Sequence, residues 1–404
     1  MKFFDKKQIY LDYVSSTPTD ERVVKAMKSY WSDEFGNPSA KHIYGRNAKK
    51  ALEDSRSKIA KILNARAEEI IFTSGGTESN NLAISGIINY VKEKTGTLVG
   101  YYAITSEIEH PSVLNLFKHL ENKGLKVNYI KADENGIVNV DEIKSALNEK
   151  TLLVSIMFVN NEIGTIQPVN EISKIIRSFK NAKNESAIFS DDNFPYFHTD
   201  ASQAPLFLDL NVKKLGVDLL TIDGQKIYGP KGIGALFIKK GVPLRPLFYG
   251  GGQEMGLRAG TENIPLIVGL AESMALVEKE RNVFVNKMKK LQDYFVGRIL
   301  SEIPGSKLNG DKEKRTPNNA NISFDNIDHE FLAVQLDENG IFCSTKSACM
   351  ADKEDDSYII SAINRGKKRT GAIRFSLGKE TTKRNLDYVL KILIELVNKQ
   401  RKII

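Results

Sequence analysis

Apolar runs of strand length alternate with amphipathic runs of helix length along this chain, and that alternation limits its fold more than any other feature. LLVSIMF (152–158) is followed by VNEISKIIRSF (169–179), and IIFT (70–73) by LAISGIINYV (82–91). Strand, helical crossover and further strand is the unit of a parallel sheet covered by helices. With 404 residues, 41% hydrophobic and 27% charged, the chain is long enough for one large α/β domain and a smaller one, each with its own core. The large domain is expected over 16–275. The smaller, α+β domain takes 1–15 and 276–404, and a long helix through 272–300 connects the two. Near the C-terminus Leu386, Val389, Leu390, Leu393, Ile394 and Val397 share one face of a packing helix.

Composition excludes several classes. There is no signal peptide, bilayer-length apolar run, internal repeat or low-complexity tract. The only two cysteines, Cys343 and Cys349, exclude a disulfide framework and a four-cysteine metal site, and point to a reducing compartment, the cytoplasm. The net charge of +8 is concentrated between residues 361 and 404, which hold 12 Lys/Arg against three Asp/Glu. RGKKRTG (365–371) reads as a solvated loop, or as a contact for an acidic partner or tRNA, without a nucleic-acid-binding motif to support direct recognition.

Reactive residues sit at strand ends. LLTIDGQKIYGPKGIGA (219–235) is an apolar strand running into a turn that carries Lys226 before Gly229-Pro230. An amine held there can be partly desolvated and can condense with a carbonyl; the carbonyl implied is pyridoxal phosphate. Most lysines beside a Gly-Pro turn are merely solvated, so the rest of the chain decides. FHTDASQ (197–203) ends a strand in Asp200, a carboxylate suited to a pyridinium nitrogen, with Gln203 behind it. IIFTSGGTESNNLAI (70–84) gives a strand, a Gly75-Gly76-Thr77 turn and a helix, the pattern of a phosphate cradle at a helix N-terminus. Without a Gly-Lys-Ser/Thr ending it is not a nucleotide P-loop.

These segments, taken in order with YLDYVSSTP (10–18), EIEHPSV (107–113), LLVSIMFVNNEIGTIQP (152–168), GGGQEMGLRAGTEN (250–263), STKSACMAD (344–352) and IRFSLG (373–378), resemble the cysteine desulfurases over nearly the whole chain. These are class V, fold-type I pyridoxal-phosphate enzymes. The resemblance implies a mainly parallel seven-stranded sheet in the large domain and a homodimer. It makes Lys226 the Schiff-base lysine, Asp200 the ring-nitrogen partner, and Gln203 a donor to the ring oxygen. His110 stacks on the ring and moves protons, Asn161 lies near the ring oxygen and substrate, and Arg374 clamps the substrate carboxylate in a bidentate pair. Gly76, Thr77 and Gln225 belong to the cofactor site, with Thr261 reaching the phosphate of the neighbouring subunit. Cys349, in a polar loop of the family's long-loop type, is the nucleophile that takes sulfur from L-cysteine as a persulfide, leaving L-alanine. The sulfur then passes to an acceptor, an iron–sulfur scaffold or a tRNA-thiolation enzyme. Cys343, at the end of GIFC, is expected as a small core residue.

Four features depart from the family pattern. Asp223 and Gln225 stand where a serine and a histidine usually hold the phosphate, Lys346 replaces a glycine, and 183–194 is an insertion read as a surface loop. Asp223 either points elsewhere, pairs with Arg258 or Lys231, or weakens cofactor retention. Another class V enzyme, such as an aminotransferase or selenocysteine lyase, and a weakened relative retained as a binding or assembly protein are the alternatives.

Overall fold

A computed structural model of the chain describes residues 7–182, 193–345, 357–364 and 371–402. The insertion, apart from Asn193 and Phe194, the basic run 365–370 and Cys349 with its neighbours Lys346 to Asp356 lie outside the described residues.

The first half contributes β1 (Ile9–Tyr10), β2 (Ile70–Thr73), β3 (Tyr102–Ser106), β4 (Lys126–Ile130), β5 (Thr151–Ser155) and β6 (Tyr196–Asp200). The second contributes β7 (Leu219–Asp223), β8 (Gly234–Ile238), β9 (Ser306–Leu308), β10 (Asn319–Phe324), β11 (Ile341–Phe342) and β12 (Ala372–Ser376). Seven of them form one sheet in the order β2-β8-β7-β6-β5-β3-β4. All are parallel except β8, which runs antiparallel to both β2 and β7. The short 224–233 connection returns the chain beside β7 without a helical crossover, so the reversed direction follows from the connection.

Both faces of this sheet are covered. Ile70 and Phe72 of β2 enter one apolar cluster and Ile71 the other, and in β8 Ala235 and Phe237 divide in the same way from Leu236 and Ile238. The two-residue period of a strand sends alternate side chains to opposite faces, and helices bury each set. Residues of Ile43–Leu63, Val169–Ala182 and Ile264–Glu302 close one side; those of Gly76–Thr95 and Pro111–Glu121 close the other.

The helix expected over 272–300 begins earlier, at Ile264, because the Asn263 side chain accepts the Leu266 N–H and Pro265 fits the first turn. Residue 275 therefore lies inside one continuous helix. Its far end packs on a second, antiparallel sheet, β12-β10-β9, with the Phe295 and Phe375 rings edge to face at 5.3 Å. The C-terminal helix Lys383–Arg401 buries Leu386, Val389, Leu390, Leu393 and Val397, with Leu396 buried beside them and Ile394 only partly so. β1 pairs in parallel with β11 through Ile9 and Ile341, and Asp12 bridges to Ser376 of β12. This places residues 12–16 beside both sheets. The carboxyl ends of β2, β3, β5, β6 and β7 open on the same edge, where ligands of open α/β sheets are held.

Candidate active site

That edge holds a pocket lined by nine of the residues singled out in the sequence: Gly76, Thr77, His110, Asn161, Asp200, Gln203, Gln225, Lys226 and Arg374. Asp200 and Arg374 sit in strands, and the others on turns, loops or helix starts that follow the strand ends. Lys226 ends a short 3-10 turn directly after β7, and its Nζ donates to the Ser15 carbonyl at 2.6 Å. Asp200 is the last residue of β6. Its Oδ2 accepts from Asn80 Nδ2 at 2.7 Å and its Oδ1 from the Ser202 N–H at 2.9 Å, so the carboxylate is held from two sides. Asn80 comes from the Gly76–Thr95 helix and also donates to Ser112 Oγ at 2.9 Å, joining that helix to the His110 turn.

His110 is the N-cap of the Pro111–Glu121 helix. Its Nδ1 accepts the Ser112 N–H at 3.2 Å and lies 2.8 Å from Ser112 Oγ, which leaves Nε2 as the protonated nitrogen of a neutral ring. Burial lowers its pKa from the ordinary histidine value, the Asp200 charge works against that, and the Lys226 charge adds to it.

Behind His110, Glu109 is fully buried. It accepts the Ser106 hydroxyl at 2.6 Å and the Met157 N–H at 2.9 and 3.0 Å, and burial, with the Asp200 charge adding to it, raises its pKa from 4.5 to about 8. The folded protein therefore keeps a proton that the unfolded chain releases at lower pH. This contribution to stability is complete below the ordinary glutamate value and is lost as pH rises through about 8. Glu109→Gln should flatten the decline in urea-unfolding free energy between pH 5 and 8.5, a difference on the order of 2–4 kcal/mol across the range. Equal slopes in parent and variant would contradict it.

Arg374 is an interior charge, only 1% exposed. It donates to the Asn161 carbonyl at 3.1 Å, and from Nη2 to Asp12 Oδ1 and Ser15 Oγ, both at 2.7 Å, while its buried Nε has no partner among the described residues. A bidentate pair with a ligand carboxylate would thus have to use Nε or replace the Ser15 contact. Gln203 Nε2 donates to the Val14 carbonyl at 3.1 Å, so its amide is engaged with the 12–16 segment.

Asp223 does not pair with either expected cation. Arg258 Nε donates instead to Glu78 Oε1 at 3.0 Å, and Lys231 is exposed. Asp223 turns into the pocket, where it caps the 3-10 turn by accepting the Gln225 N–H at 3.2 Å and Gln225 Nε2 at 3.3 Å.

Thr261 lies apart from these residues. It lines a separate cavity with Glu254, Arg258 and Ile233, on a loop fixed to β2 by Glu254, which accepts both Arg56 Nη1 and Nη2 and the Phe72 N–H. Cys343 is partly buried against the main core, and burial, with the Asp12 charge adding to it, pushes its thiol well above the ordinary cysteine value. Asp12, Ser15, Asn80, Ser202 and Glu109 received no role from the sequence. Asp12 and Ser15 stand within the YLDYVSSTP run, and Glu109 directly precedes His110, which was the available signal.

The residues present fit a flat aldehyde with an anionic tail. An amine at Lys226, a carboxylate at Asp200 and the buried Asn161 Oδ1, without a partner among the described residues, face the space where a ring would lie. At the other end Gly75 has φ 147°, and a Cβ on Gly76 would crowd Ser202 Oγ at 3.0 Å, so the turn requires glycine at both positions. Asp223 is the one discordant group. Among the described residues no cluster of three His, Cys, Asp or Glu could hold a metal ion, and no helix is long and apolar enough to cross a membrane.

Comparison with known proteins agrees with this geometry. The class-V aminotransferase family model matches residues 9–389. Cysteine desulfurase IscS of Dictyoglomus turgidum is 42% identical over 399 residues, covering 98% of this chain and 96% of its own. Cysteine desulfurase IscS of Methanosarcina thermophila is 41% identical, at 98% and 94% coverage. Among solved structures, a NifS-like protein superposes with a TM-score of 0.86 at 36% identity, over 97% of this chain and all of its own. SspA in complex with cysteine superposes at 0.76 with 34% identity, over 91% and 98%. The chain belongs to the class-V aminotransferase family of pyridoxal-phosphate enzymes, in its cysteine desulfurase branch.

Proposed function

We propose that this chain converts L-cysteine to L-alanine and takes the sulfur onto Cys349. The observation that carries this reading is the convergence of Lys226, Asp200, His110, Asn161 and Arg374 in one pocket of a chain from this family. Arg374 binds the substrate carboxylate, fixing the amine toward Lys226 and the thiol toward the pocket mouth. Bound pyridoxal phosphate supplies an electron sink for charge developing at the substrate Cα, and Asp200 holds the ring nitrogen protonated. Lys226, once its amine is released, can take the Cα proton, and the neutral His110 is placed to move a proton at Nε2.

The Cys349 thiolate then attacks the substrate sulfur: an S–S bond forms, the C–S bond breaks with its electron pair going to carbon, and carbon takes a proton to give alanine. The sulfur leaves Cys349 for an acceptor, an iron–sulfur scaffold or a tRNA-thiolation enzyme. The dimer of this reading brings Thr261 of each protomer toward the other's phosphate end, and the cysteine composition supports a reducing, cytoplasmic setting. Asp223 in the pocket favours one second reading, a relative with weakened cofactor retention acting as an assembly protein. Incubation of the holoenzyme with L-cysteine and a thiol reductant, measuring alanine and sulfide together, separates the two. Equal yields of both support the desulfurase; neither product from cofactor-loaded protein would overturn it.

A further inference from the structure

The Gly76–Thr95 helix points its N-terminus into the pocket with no side-chain cap on its first turn. Such a terminus carries a partial positive charge and free N–H groups, and favours an anion. Glu78, in that first turn, is directed elsewhere, to Arg258 and to the Ser74 N–H. The carboxylate at the terminus is that of Asp223, reaching across from the end of β7 and only 8% exposed. Its Oδ2 lies 3.2 Å, and its Cβ 3.4 Å, from the point where a Cβ on Gly76 would stand. Asp223 has no ion pair among the described residues, and both contacts it accepts come from the uncharged Gln225. The charged or titratable groups that share its pocket are Lys226, His110, Asp200 and Arg374; Lys226 is the residue assigned to the aldehyde end, and Arg374 is paired with Asp12.

Two anions therefore compete for one partial positive charge. A phosphate seated at this helix end meets a carboxylate that is itself desolvated and unneutralised, so like-charge repulsion opposes it at short range. We infer that Asp223 determines affinity and specificity at the cofactor's phosphate end: its carboxylate selectively weakens binding of the phosphorylated cofactor, and so makes the cofactor exchangeable. This inference rests on the pyridoxal-phosphate reading of the pocket.

Equilibrium dialysis of the full-length protein against graded pyridoxal phosphate, and separately against pyridoxal, which has no phosphate, tests it by dissociation constants rather than turnover. Asp223→Asn keeps the shape and removes the charge. It should tighten pyridoxal phosphate by about tenfold or more and leave pyridoxal unchanged, and Asp223→Ser should do the same. Unchanged or weaker binding of pyridoxal phosphate with pyridoxal retained would overturn the inference, as would an equal gain for both ligands. Should Asp223→Asn lose both ligands, Asp223→Ser decides, and loss of both ligands there also overturns it. Failure of the underlying reading looks different: the parent protein would then bind neither ligand in a form that Lys226→Ala abolishes.

Discussion

Lys226→Ala is expected to lose covalent retention of the cofactor, and with it turnover, the largest effect that one substitution in this pocket can have. Lys226 combines two tasks in the proposed chemistry, the covalent hold on the aldehyde and proton transfer at the substrate Cα. Proton transfer by a positioned side chain alone contributes on the order of 10²–10⁴-fold. The fold should survive. Lys226 is only partly buried, and the neighbouring turn is held by backbone contacts, including the Gly229 and Ile227 N–H groups on the Gly224 carbonyl. The measurement is cofactor absorbance after gel filtration, followed by alanine formation from L-cysteine. A variant that retains the lysine-linked absorbance and the parent's rate would show that another residue carries the cofactor.

Cys349→Ser should have a comparably large effect at a different step. The chain has two cysteines, and the thiol of Cys343 is held protonated by burial, which removes the thiolate that attack on sulfur requires. Cys349 lies outside the described residues, so its role rests on family membership and on this contrast with Cys343. The Cys349→Ser protein should still bind cofactor and L-cysteine, yet form no alanine by sulfur transfer and carry no persulfide on peptide mapping. Cys343→Ser should keep transferring sulfur. Normal alanine formation by Cys349→Ser, or a persulfide confined to Cys343, would contradict the assignment.

Much of this site was legible because strand ends fix side chains. β6 and β7 are short apolar runs that end in Asp200 and in the Lys226 turn, so both residues could be assigned to strand ends from the chain alone. The glycine pair before a helical pattern marked the turn proposed for the phosphate in the same way. Ser15 and Asp12 were not legible as partners: they reach Lys226 and Arg374 across 211 and 362 residues of sequence, and no local pattern encodes a contact closed by the packing of β1 on β11. Of the alternatives for Asp223, pairing with Arg258 fails for a physical reason: Glu78, in the first turn of the helix that Asp223 faces, already engages that cation. The start of the long helix is encoded locally, since Asn263 with Pro265 two residues on is a helix-start signal readable without the structure.

The most direct measurement of the central claim, that this pocket drives sulfur transfer from L-cysteine to Cys349, is a single-turnover experiment. Holoenzyme is mixed with excess L-cysteine without reductant or acceptor, quenched in acid, and assayed for alanine and for sulfane sulfur on the Cys349 peptide. The account predicts a burst of one alanine per cofactor-loaded protomer, matched by one sulfur on Cys349, with further turnover only after a thiol is added. Alanine accumulating without sulfur on Cys349, or no alanine from fully loaded protein, would contradict it.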